Sequence, residues 1–220
     1  MEMIKKSFKV IFFFSLAKLI SFIKVSFLVG SSMVWFSGIN SIVPLTGAFA
    51  GVTGALFVFL MRQIVHLFLF KTISLSFLAF CLPGFCASLY WATNHPFIRV
   101  GLPLLCMGLF IAHPVGSQAF LYSFYWLIPV ILYAFPHQSL FLQSLGSTFV
   151  AHAVGSVIWL YTVPMTAGMW LGLIPVVIIE RVLFALGMVV MYQVISFIFG
   201  KIDAIIKPDG RSAISVTTCL

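Results

Sequence analysis

Glu180 and Arg181 stand side by side in the middle of a long apolar run, 170–199, whereas most other charges in the chain fall at the ends of such runs. An acid surrounded by hydrocarbon-loving sequence is expensive, and a chain that keeps one uses it to bind something or to hold its own helices together. Neighbours on a helix point about 100° apart. One side chain could therefore face a polar cavity while the other reaches an adjacent helix. A ligand site, an interhelical ion pair and interfacial exposure all remain open for this pair.

The preceding apolar run carries His152, Ser156 and Trp159 at helical spacing. One face could then present an imidazole, a hydroxyl and an indole to a small polar or aromatic ligand, or simply pack. Further upstream, Gln118, Tyr122 and Tyr125 share a stripe beside Trp126. Such stripes also serve as core or aromatic belt, but Gln118 facing lipid would be costly. Catalytic signatures are missing: there is no HExxH, no GxSxG with a convincing triad and no Walker A sequence. The five histidines are scattered and the acids number only four, a poor supply for a metal centre. We therefore expect neither an enzyme nor a cofactor. Any nucleotide-driven work must come from another subunit.

These residues need elements to hold them, and composition decides which. Of 220 residues, 62% are hydrophobic and 7% charged, and the mean hydropathy is +1.20. A soluble domain could not bury that much apolar surface. Apolar runs of roughly 18–25 residues suit helices that cross a bilayer. The expected fold is all-α: a single-domain polytopic bundle over 1–220 with short basic tails.

The reading predicts six transmembrane helices, at 10–36, 45–61, 72–91, 117–135, 139–161 and 170–199, with a broken or re-entrant element near residues 100–116. The first run, interrupted by Lys18 and Lys24, is open to two readings: one tilted span, or an interfacial helix followed by a short span. Pro83 and Gly84 suggest a kink in the third helix. Trp159, Tyr161 and Trp170 suit an interfacial belt around the link 164–168.

The net charge is +8. Its lysines and arginines are scattered beside apolar runs and form no dense patch, so nucleic acid is an unsuitable partner and an anionic membrane surface a suitable one. The six-helix count places the basic N-terminus, the 62–71 break, the Pro136 turn and the basic tail on one face, with both termini cytoplasmic in a cell membrane. Gly47, Ala50, Gly51 and Gly54 have the four-residue spacing that lets helices approach closely in lipid, for packing within the fold or for docking a subunit. Cys81, Cys86 and Cys106 lie in apolar sequence without a CxxC pair and read as small buried hydrophobes.

In length, helix count, the small-residue run Gly47–Ala55 and the final runs with His152–Ser156 and Glu180–Arg181, the chain resembles the substrate-binding S component of an energy-coupling-factor (ECF-type) vitamin transporter. The resemblance covers most of the chain. It implies high-affinity binding of a vitamin or precursor near the external face. It also implies docking to a shared membrane subunit powered by separate cytoplasmic ATPases. By the same resemblance Trp126, His152, Trp159, Glu180 and Arg181 lie near the ligand, with residues 36–44 as a covering loop. The AxxxA pattern common on the first helix of that class has no counterpart at Ala17; the small-residue spacing falls on the second predicted helix instead. A membrane scaffold or assembly subunit and an autonomous small carrier are the alternative readings.

Overall fold

The computed structural model describes residue 8 and residues 10–16, 39–72, 75–135 and 138–206, with side chains to residue 202. The predicted run 10–36 lies outside the described residues beyond position 16. The described chain is an all-α bundle with no strand among its residues.

After a helical piece at 10–16 come α1 (Ile39–Ile42), α2 (Leu45–Phe70) and α3 (Leu75–Ala92). A π-helical turn, Phe97–Gly101, leads into α4 (Leu102–Ala112), and α5 (Pro114–Gln118) leads into a 3-10 segment, Phe120–Trp126, that continues as α6 (Leu127–Tyr133). The chain ends with α7 (Leu140–Thr162), the short α8 (Ala167–Gly172) and α9 (Ile174–Ile206). Four of these, α2, α3, α7 and α9, are long and apolar enough to cross a membrane.

Packing follows the small residues. At Gly47 the backbone of α2 lies so close to α3 that a Cβ would run into the Ser88 carbonyl. Thr46 and Ser88 seal that contact: the Ser88 hydroxyl donates to the Val43 carbonyl at 2.7 Å. Gly146 on α7 accepts the ring of Tyr90 on α3 in the same way, and Ser147 donates to the Ala87 carbonyl at 3.1 Å. α7 is the central helix. Its best apolar window is 44% buried, about twice the share of the other three long helices, and it touches α3, α4, α6 and α9.

The small-residue stripe of α2 divides. Gly47, Ala50 and Gly54 are buried within the fold, which is the internal packing role. Gly51 makes no close approach, since nothing lies within 4 Å of where its Cβ would be. It instead breaks the helix, with φ 67° and ψ −169°, a conformation open to glycine and strained for other residues. Pro83 sits inside α3 without ending it. Cys81 and Cys106 are buried and Cys86 is half-buried, all three as free thiols.

The contacts also fix which ends of the helices lie together. Beyond Gly51, α2 runs antiparallel to α3, since Phe59 meets Phe85 and His66 stacks on Phe77, ring centroids 4.8 and 4.1 Å apart; before Gly51 the chain runs the same way as α3, Val43 against Gly84 and Gly47 against Ser88. α3 and α7 are antiparallel through Tyr90–Gly146 and Pro83–Gly155. α4 runs parallel to α7: Arg99, just before it, bonds Gln143, and Tyr161 bonds the Leu109 carbonyl. From Gly51 onward the described chain therefore runs along the bundle six times, on 52–70, α3, 97–112, 120–133, α7 and α9.

This sharpens the expected arrangement in three places. The broken element expected near 100–116 is a short apolar helical stretch, 97–112, that runs alongside α7 and turns back at His113–Pro114. The stretch 117–135 is no full uninterrupted helix: its apolar part, Phe120–Tyr133, is shorter and begins as 3-10. As a consequence, the 62–71 break and the turn before Gln138 lie at opposite ends of the bundle. The extra pass reverses everything that follows it.

Candidate functional site

The residues singled out from the sequence meet in the half of the bundle away from Arg99, on α7, α9 and the 3-10 segment. The cause is local. Pro114 cannot continue α4, so the helix stops at Ala112, and the His113 ring caps the restart by accepting from the Val115 N–H at 3.2 Å. Gly116 lets the turn fold back; a Cβ there would strike the Phe110 carbonyl. The chain then tightens to three residues per turn, which places Ala119, Tyr122 and Tyr125 on one inward edge while Leu121 and Phe124 face out.

On that edge the Tyr122 hydroxyl is the hub. It shares hydrogen bonds with His152 Nε2 at 3.0 Å and Ser156 Oγ at 3.4 Å. The Tyr125 hydroxyl donates to the Ile174 carbonyl at 2.9 Å and ties the segment to the start of α9. Around the hub the rings interlock edge to face: Tyr122 with Trp170, centroids 4.9 Å apart, and Phe110 with Trp126 and with Trp170 at 5.3 and 5.2 Å. Trp126 is fully buried and Trp170 nearly so.

Glu180 and Arg181 bond each other, Arg181 Nη2 to Glu180 Oε2 at 3.1 Å, both largely shielded. The Arg181 charge acts on both Tyr122 and His152. Three buried N–H donors here have no acceptor among the described residues: Trp126 Nε1, Trp170 Nε1 and Arg181 Nε. Buried donors without partners are rare, since each costs roughly 1–3 kcal/mol. The arrangement offers hydrogen-bond donors and flat aromatic faces. It has no nucleophile–base–acid geometry, and no cluster of metal ligands occurs among the described residues.

Not every predicted residue joins. Gln118 ends α5 and is exposed, because the switch to 3-10 shifts it off the stripe it would share with Tyr122 in a regular helix. Trp159 shares the α7 face of His152 and Ser156 but lies nearer the end of the helix, where it is 50% exposed. Trp170, read from sequence as belt, is instead a wall of the cluster. Thr166 caps α8 by accepting from the Met169 N–H at 3.3 Å, and that short helix turns the indole inward. The signal was in the sequence, as a Thr three residues before an apolar turn and a Pro just after it. Residues 39–44 cover none of this. They pack in the Arg99 half, with Ser41 against Gly187 and Val43 against Gly84.

A second polar place lies at the opposite end, in a cavity of about 580 Å³ lined by Trp91, Thr93, Asn94, Arg99, Gln138 and Gln143. None of the residues singled out from the sequence lines it. Arg99, 4% exposed, stands in its wall.

Compared with known proteins, the chain matches no family, no curated protein and no solved structure. The reading of its function rests on its own geometry.

Proposed function

We propose that this chain is a multi-pass membrane protein that binds a small polar, ring-bearing solute for uptake, in the manner of an S component, with the transport step powered by other subunits. One observation carries the reading: three buried donors, on Trp126, Trp170 and Arg181, stand without acceptors in the same cluster as the Tyr122–His152–Ser156 network. A solute with acceptor atoms and a flat face would satisfy those donors and stack on the rings once the packed cluster parts to admit it.

We take the aromatic cluster as the outward-facing half, the direction from which a solute is captured; basic side chains stand at both ends, Arg99 and Lys201 at one and Arg62 and Lys71 at the other.

The test is a titration of the purified protein with a panel of water-soluble vitamins, read by tryptophan fluorescence, because two of the five indoles belong to the cluster. Saturable quenching by one compound, weakened at least tenfold in Tyr122→Phe, is the expected result. A flat response across the panel, with stable copurification of an unrelated membrane complex, would favour the scaffold reading instead.

A further inference from the structure

Arg99 is the sharpest feature that the proposed solute site leaves unused. It follows a loop, 93–96, that brings it back under the end of α3. There its Nε donates to the Thr93 carbonyl at 3.3 Å and its Nη2 to the Tyr90 carbonyl at 3.0 Å. Nη2 also reaches Gln143 Oε1 at 3.3 Å, and Nη1 reaches Gln138 Oε1 at 3.5 Å. The guanidinium lies over the Tyr90 ring at 4.2 Å. All of these partners are neutral.

A buried cation normally has a countercharge, and the chain has few to offer. Its four acids are Glu2, Glu180, Asp203 and Asp209. Glu180, the one with a described side chain, is bonded to Arg181 in the other half of the molecule. Five N–H groups belong to a guanidinium, and the four contacts above leave one of them, on Nη1, without a partner among the described residues. The opening is lined by further polar groups from Thr93, Asn94, Gln138 and Gln143, and by no carboxylate among the described residues.

We propose that this cavity is a binding site for a phosphate-type oxyanion, held by the remaining N–H and charge of Arg99 with the exposed amide of Asn94 on its rim. Its place fits such a group. The cavity opens at one end of the bundle, where α3 and 120–133 end and α7 begins, so in a membrane-spanning bundle the phosphate can come from an anionic lipid or from solution. Basic pockets between helix ends hold lipid headgroups by this chemistry, and Arg supplies directed hydrogen bonds as well as charge.

The experiment is native mass spectrometry of the full chain released from detergent, with phosphatidylglycerol or phosphatidylcholine added in separate arms. A parallel arm measures thermal unfolding in inorganic phosphate against chloride at equal ionic strength. The expected result is retention of one phosphatidylglycerol at least tenfold over phosphatidylcholine, lost in Arg99→Gln and kept in Arg99→Lys. Stabilisation by inorganic phosphate without lipid selectivity would identify the free anion as the source and support the site equally. Because Arg99 also joins α3 to α7, Arg99→Gln could unfold. Asn94→Leu removes an exposed polar group from the rim and touches none of the Arg99 contacts, and it is expected to weaken retention or the phosphate shift about threefold or more. Equal retention of both lipids with no phosphate effect, or binding unchanged in both Asn94→Leu and a folded Arg99→Gln, overturns the proposal.

Discussion

At the scale of single residues the account turns on a few atoms without substitutes. Gly51 has open space around it but a φ of 67°, so Gly51→Ala is expected to lose about 1–2 kcal/mol through backbone strain alone. Gly108, helical and equally open, is the control: Gly108→Ala should be neutral or stabilising by about 0.5–1 kcal/mol. Melting curves in detergent compare the two. Gly116→Ala brings a methyl onto the Phe110 carbonyl and is expected to lose more than either, because the colliding partner is backbone. The cluster residues follow a different rule. Tyr122→Phe removes one hydroxyl shared by His152 and Ser156, so it should lower stability by only about 1 kcal/mol while weakening solute binding at least tenfold. Tyr122, Tyr125, Trp126, His152 and Ser156 were legible from sequence because an aromatic or polar side chain inside an apolar run needs an explanation. Gln118 left its expected stripe because spacing gives a face only when the helix type is known, whereas Trp159 keeps its face and lies past the cover of the cluster.

At the scale of elements the decisive stretch is 97–133. Apolar composition marked it as membrane-embedded, but three features set its path: the stop at His113–Pro114, the close turn at Gly116 and the 3-10 winding that follows. The first was visible in the sequence. The other two depend on contacts with Phe110 and Leu160, and no local pattern announces them. At about 24 Å for sixteen residues of α-like helix, the pass 97–112 is short for a hydrocarbon core of roughly 30 Å. Length alone therefore argued for a side element. The pairing of α3 with α7 was also hidden, since it rests on Gly146 and Ser147 meeting Tyr90 and Ala87. Bulk at that seam is the prediction: Ser147→Leu should separate the two helices and lower the melting temperature by several degrees. Ser147→Ala, which loses one hydrogen bond and adds no volume, should change it little.

For the whole molecule, the membrane class and the all-α bundle followed from composition, whereas the arrangement of its ends did not. Counting apolar runs placed Lys71 and Phe135 on the same face; one additional pass puts them at opposite ends. Site-directed labelling settles this in a background with Cys81, Cys86, Cys106 and Cys219 replaced. Asn94→Cys and Phe135→Cys, both exposed, should react with an impermeant maleimide from one side of sealed vesicles. Lys71→Cys and Met169→Cys should react from the other. The same geometry separates a donor-rich aromatic cluster in one half from an arginine-lined cavity in the other, so the two sites can be tested apart.

The most direct test of the solute-binding reading is native mass spectrometry of the gently solubilised wild-type chain beside Trp170→Phe, after growth with vitamin supplementation. Trp170 was chosen by the fold rather than by the sequence, and the substitution keeps an aromatic ring while removing the unpartnered N–H. The account predicts a vitamin-sized adduct on the wild-type protein, sharply reduced on the variant while the mass and melting temperature of the variant stay near normal. A wild-type chain that carries no small molecule under any supplementation, or an adduct indifferent to Trp170→Phe, would contradict it.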